Sequence, residues 1–180
     1  MKIQHCSAMS MPMWLLLAAP LAALAHGSAH EHGAATLDIA VEANQIVVQF
    51  QSPLDNLVGF ERAPRTDSER QRAAEAVARL QDGERLFRFD PAAACKLART
   101  NIDSPVLGLG SPSGAPAPNG HAELFASWEF NCADASKATQ VEVGLFAFNQ
   151  LKRVQVQLVL PKAQAKRELK LPKNRIVLAP

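Results

Sequence analysis

Tyrosine is absent from this 180-residue chain, and so are the common catalytic signatures. The sequence contains no Gly-rich phosphate loop, no His-Glu-x-x-His and no Gly-x-Ser-x-Gly around a nucleophile. Asp38, Asp55, Asp67 and Asp90 lie singly along the chain, the usual pattern of surface carboxylates. A non-enzymatic protein is therefore expected. An excess of one charge is missing too, with 19 Lys and Arg against 17 Asp and Glu. Such balance leaves no bulk electrostatic footprint for nucleic acid or an anionic membrane.

Long apolar runs are scarce. The one present is Met13–Leu24, preceded by Lys2 and followed by Ala23-Leu24-Ala25, a small-x-small cleavage pattern. At about a dozen residues it is too short for a bilayer, which needs roughly 20. Residues 1–25 thus read as a signal peptide, with cleavage making His26 the first residue of the exported form. No cysteine follows the apolar run where a lipid would be attached, which favours a soluble exported protein, and no second run argues for membrane insertion. What remains is of a size for one domain with a sizeable core.

Cysteine is sparse: Cys6 lies in the leader, leaving Cys95 and Cys132. In an oxidising compartment the simplest reading is a disulfide. It would close a loop of about 37 residues, worth roughly 3–4 kcal/mol in the chain-entropy description. A thiolate metal ligand or a redox pair is the alternative. The spacing is far from Cys-x-x-Cys, and both cysteines lie in apolar stretches.

Period-two alternation over Ala35–Val41 and Ile46–Phe50 predicts a β-hairpin ended by Pro53. Thr66-Asp67-Ser68-Glu69 has the form of a capping box, and Ala73, Ala76, Val77 and Leu80 recur at helical spacing up to Asp82-Gly83. Glu84–Asp90 reads as a short mixed piece and Ala92–Ile102 as a strand through Cys95. The cleanest strand is Ala122–Cys132, with Leu124, Trp128, Phe130 and Cys132 on one face. Val141–Leu145, Val154–Leu158 and Ile176–Leu178 are further strands, with a helical turn over Phe146–Leu151. Ser104–Gly120 is rich in Pro, Gly and Ser and has no charge, so a mobile loop is expected there. The sum is an α+β domain over residues 35–180, mainly antiparallel sheet with one clear helix on a face, preceded by a His-containing segment at 26–34.

What the chain does have is a histidine cluster. Of the four histidines beyond the leader, His26, His30 and His32 fall within seven residues. Zinc takes three or four N, O or S donors, and His30 and His32 lie on one side of an extended segment. A free amine at His26 would add a chelate that suits copper(II) as much as zinc. The fourth histidine, His121, shares a strand face with Glu123, and with His30 and His32 this pair would complete a three-histidine, one-carboxylate site. Glu31 and Glu129 read as solvent charges. Each histidine could also be a solvated surface group.

Three segments together resemble the DUF2796 family of ZrgA-like proteins. They are His30-Glu31-His32-Gly33 before the hairpin, Ser52–Pro64 with its Asn-Leu-Val-Gly-Phe-Glu-x-Ala-Pro run, and His121–Cys132. The resemblance covers nearly the whole exported chain. It implies a periplasmic zinc-binding protein of a Gram-negative bacterium, assisting zinc acquisition by supplying a high-affinity importer. The implied partner is a periplasmic component of a zinc ABC importer. It also implies that His30, His32, His121 and Glu123 are ligands, and that Cys95 and Cys132 match the family's cysteine pair. Family members commonly carry a long loop rich in His, Asp and Glu; here Ser104–Gly120 has no histidine, so a lower zinc stoichiometry is expected. Asn56–Pro64 reads as structural, with Gly59 allowing a tight turn and Phe60 anchoring the link to the core.

Two rival readings stay open on the residues themselves. One is an interaction module of a transport system whose histidines are incidental. The other is a copper-binding protein. Its enzymatic form, a histidine brace headed by His26, lacks any tyrosine and any large substrate face.

Overall fold

The alternating residues of β1 (Ala34–Val41) and β2 (Gln45–Pro53) form the expected antiparallel hairpin, with Ile39 opposite Val48 and Leu37 opposite Phe50. The computed structural model describes residues 32–110 and 122–178. The proposed leader, His26, His30 and His121 lie outside those residues. Along the chain follow α1 (Asp55–Val58), α2 (Asp67–Gln81), α3 (Gly83–Leu86), β3 (Phe87–Phe89), β4 (Lys96–Asp103) and β5 (Glu123–Asn131). Then come β6 (Gln140–Val143), β7 (Arg153–Leu160), β8 (Ala163–Leu169) and β9 (Arg175–Val177). A six-stranded sheet has the order β4-β5-β2-β1-β7-β8, and a three-stranded sheet the order β3-β6-β9. All pairings are antiparallel except β1 with β7, which run parallel. The α+β class and the largely antiparallel sheet are as expected.

One face of the large sheet is buried. Leu37, Ile39, Val48, Leu124, Trp128, Phe130, Val154 and Val156 point into the core, while Thr36, Asp38, Gln49, Gln51, Gln155 and Gln157 face solvent. The period-two side-chain alternation of a half-covered sheet accounts for this division. Phe87 and Phe89 of the small sheet cover the core face, with ring centroids 4.9 Å from Trp128 and 5.0 Å from Phe130 respectively.

Helix α2 starts with the expected reciprocal cap, the Thr66 hydroxyl accepting from Glu69 N–H. Its buried stripe is Ala73, Ala76 and Leu80, and Val77 is half-buried. Trp128 Nε1 donates to the Leu80 carbonyl at 2.7 Å, holding the last turn of the helix to the sheet. Gly83 sits directly against that indole: a Cβ there would lie 2.6 Å from Trp128 Cδ1. The Cys95–Cys132 disulfide joins the lead-in of β4 to the residue just after β5.

Three elements differ from the sequence reading. The β8 strand was not anticipated, because it is an edge strand with a single fully buried side chain, Leu169, and no apolar alternation. The start of β4 falls at Lys96 rather than Ala92, since Pro91–Ala93 form a 3-10 turn that leaves Ala94 at φ 47°. The first part of the expected loop 104–120 is folded. Ser104 is fully buried, its backbone pairs with Leu109, and Pro105–Leu107 make a 3-10 turn between them. Residues 111–120 lie outside the described residues.

Gly83→Ala should destabilise the protein by about 1–3 kcal/mol, since a methyl group has no room beside Trp128. Urea melts of the two proteins would measure it, and equal midpoints would show that the indole can move aside. A second expectation concerns Glu69, whose carboxylate takes two contacts from the Arg62 guanidinium and the Arg65 N–H. These hold its pKa down at about 2 from 4.5. Because the folded value is depressed, its contribution is complete above the unfolded value and fades as pH falls from 4.5 towards 2. Glu69→Gln keeps a capping-competent side chain, so the gap in melting temperature between it and the parent should be widest near neutrality. That gap should narrow steadily below pH 4.5.

Candidate metal site

His32, Asp55 and Glu61 each place a ligand atom within 4.8 Å of those of the other two. They come from three separate pieces of chain: the lead-in to β1, the first residue of α1, and the link between α1 and α2. Each piece is fixed by a different device.

His32 is held through its neighbour Gly33. The Gly33 N–H donates to Asn56 Oδ1 at 2.7 Å, and the Gly33 carbonyl accepts from Lys152 N and Arg153 N. Gly33 has φ +80°, and a Cβ there would meet Lys152 Cγ at 3.1 Å. This position needs glycine on both counts. Asn56, only 1% exposed, also donates from Nδ2 to the Ala34 carbonyl and to Ser52 Oγ. A single buried carboxamide therefore joins the start of β1, the end of β2 and α1.

Asp55 follows directly from β2 through Leu54, whose N–H donates to the Ala122 carbonyl. Its side chain is 18% exposed, and Oδ2 receives a 2.5 Å hydrogen bond from His32 Nδ1. The other oxygen, Oδ1, is buried and accepts no hydrogen bond among the described residues. A buried anionic oxygen without a donor is what a cation would satisfy.

Glu61 is positioned from both sides. Gly59 ends α1 at φ 85°, turning the chain as expected, and Phe60 is buried. The guanidinium groups of Arg62 and Arg72 lie over the Phe60 ring at 5.5 and 5.7 Å, and Arg62 in turn grips Glu69 of α2. The link that carries Glu61 is thus clamped against the long helix.

The electrostatics favour a cation. The His32 pKa is raised, first by the hydrogen bond to Asp55 and then by the negative charges of Asp55 and Glu61. What stabilises imidazolium here stabilises any positive charge placed among the same groups. One imidazole nitrogen and two carboxylates form a donor set that zinc accepts, leaving one tetrahedral position for a fourth ligand. The ring can serve in two ways. Either Nδ1, its proton lost to solvent, would ligate alongside the carboxylates, or the ring would keep its Nδ1–H hydrogen bond to Asp55 and offer Nε2, the arrangement in which a carboxylate orients a ligating histidine.

Among the sequence-predicted ligands, His32 is in this cluster and Glu123 is not. Glu123 opens β5 opposite Pro53, and its Oε2 accepts from Gln51 Nε2 at 2.7 Å. It therefore lies at the same end of the sheet as Asp55, one strand over. His26, His30 and His121 fall outside the described residues. In the sequence Asp55 reads as a lone surface carboxylate and Glu61 as part of a structural segment, and the fold brings both beside His32. Glu61 sits beside the Gly and Phe that shape the turn, and the turn is what aims it.

A disulfide-closed, largely antiparallel sheet with a His, Asp and Glu cluster at one end defines the class: a small β-rich protein with a candidate metal site. Residues 29–178 match the family described as ZrgA family zinc uptake protein, and this chain belongs to that family. No curated protein matches the chain. The disulfide and the zinc-uptake family both fit an extracytoplasmic protein. Among the described residues no helix is long and apolar enough to cross a membrane.

Asn56 touches no ligand atom in the cluster, yet it should control the cluster's affinity. Asn56→Asp keeps an acceptor for Gly33 but removes the donor to Ala34 and Ser52. Zinc affinity is expected to fall by about 10–100-fold, as for other residues that orient ligands. Calorimetry on a variant with an unchanged circular dichroism spectrum would read this, and an unaltered affinity would remove Asn56 from the positioning role.

Proposed function

We propose that the protein captures zinc in the periplasm through His32, Asp55 and Glu61, and passes it to a high-affinity importer without performing catalysis itself. The observation that carries the reading is the convergence of these three donors in a chain of a zinc uptake family. The buried, donorless Asp55 Oδ1 supports it. His30 is the proposed fourth ligand, two residues upstream of His32 in the sequence, and Glu123, at the same sheet end as Asp55, is a proposed second point of contact together with His121, two residues before it in the sequence. The implied recipient is a periplasmic component of an ABC-type importer. An exposed site suits such a role: His32 is 72% exposed, so a bound ion stays within reach of a competing ligand set. Copper(II) would bind the same N and O donors at least as tightly by the divalent series, so it is the zinc uptake family, not the donor set, that favours zinc.

Zinc titration at neutral pH tests the proposal. His32→Ala, Asp55→Asn and Glu61→Gln should each weaken binding by about tenfold or more. Uptake should weaken as the medium is acidified, because zinc needs the unprotonated ring and the neighbouring carboxylates favour the protonated one. Parent-like titration curves from all three variants would overturn the assignment of the site.

A further inference from the structure

The near-neutral total charge conceals a strong segregation. From Lys162 to the end of the chain the sequence carries Lys162, Lys166, Arg167, Lys170, Lys173 and Arg175 against one acidic residue, Glu168. All six basic side chains are exposed. Lys170 pairs with Glu168 and Arg175 with Glu142, while Lys162, Lys166, Arg167 and Lys173 have no carboxylate partner among the described residues. Most of them line β8, the outer edge of the large sheet, and the turn that follows it.

That turn has a particular shape. Lys170 and Lys173 face each other across an isolated backbone bridge, so Leu171-Pro172 forms the tip between two lysines. Leu171 is 64% exposed, the most exposed large apolar side chain among the described residues, and Val177 of β9 follows at 63%. Lysines on an edge strand commonly block unwanted strand pairing. A blocking role accounts for Lys166 and leaves the leucine unexplained, because an apolar tip invites contact.

We infer that the Lys170–Lys173 turn and the basic β8 edge dock this protein on an anionic lipid surface, with Leu171 reaching the headgroup level and the basic side chains on lipid phosphates. Basic clusters are attracted to such surfaces by an amount that grows with each Lys or Arg and is screened by salt. An apolar side chain flanked by cations adds a burial contribution that needs no shaped counterpart. This favours lipid over an acidic protein, since a specific protein interface needs about 800 Å² per partner with matched shape. Here the apolar part of the turn is Leu171, with Lys170 and Lys173 on either side, too small to form the apolar centre of such an interface. Docking of this kind is peripheral and is consistent with the absence of a spanning helix among the described residues.

Flotation of the protein, as exported and processed by its host, with vesicles of phosphatidylcholine containing about 30 mol% phosphatidylglycerol tests the inference. Binding is expected to the anionic vesicles, not to pure phosphatidylcholine, and should vanish near 0.5 M salt, where the screening length is only about 4 Å. The exposed double variant Lys166→Glu/Lys173→Glu should lower partitioning by about tenfold or more, and Leu171→Asp should lower it while leaving the charge pattern otherwise in place. Leu171→Trp adds a reporter whose emission should shift to the blue on binding. No association with anionic vesicles, association indifferent to these variants, or an unshifted tryptophan with bound protein would each overturn it. Capture of a soluble acidic protein by the same lysines, with vesicles ignored, would also overturn it.

Discussion

The Asn56 carboxamide takes the Gly33 N–H and gives its own hydrogens to Ala34 and Ser52, so three chain segments meet at one buried polar group. Such a group is costly to bury and is tolerated when both its N–H donors and its oxygen are engaged. Asn56 meets that condition, and the geometry of the candidate site follows from it. His32 is placed because Gly33 is placed, and Asp55 is placed because it adjoins Asn56 at the start of α1. The two candidate ligands are brought together by a residue that hydrogen-bonds to neither of their side chains.

Elsewhere the same division holds between groups that hold and groups that act. Phe60, Arg62, Arg72 and Glu69 fix the link bearing Glu61 to α2. Trp128 and the small Gly83 fix the far end of α2 to the sheet. The helix is thereby attached at both ends, and its capping box belongs to the same Glu69 that restrains the site. Glu69 therefore belongs both to the start of the helix and, through Arg62, to the link that carries Glu61.

Much of the scaffold was legible from periodicity. The hairpin, the long helix with its cap, the strand through Trp128 and the disulfide all carry local signals, because each buries a regular face or pairs two isolated cysteines. The β8 strand carries none: an edge strand needs few buried side chains, and Gln164, Lys166 and Glu168 tell nothing of its partner. The parallel pairing of β1 with β7 was equally hidden, since it depends on a contact between distant residues. The candidate site was half legible. His32 stood out by clustering with other histidines, whereas Asp55 and Glu61 became visible only once the turn at Gly59 had folded them back. Asp90 shows the same limit. Taken as a lone surface carboxylate, it in fact accepts hydrogen bonds from Thr139 and Gln140 and ties β3 to the start of β6.

The carbonyl of Gly33 is anchored by the amides of Lys152 and Arg153, and β1 lies between β2 and β7 in the sheet. The segment that bears His32 thus finds its final place only after the carboxy-terminal third of the polypeptide has arrived. A molecule cut short before β7 would lack the two amides that hold Gly33, so the placing of His32 beside Asp55 is a property of the completed sheet.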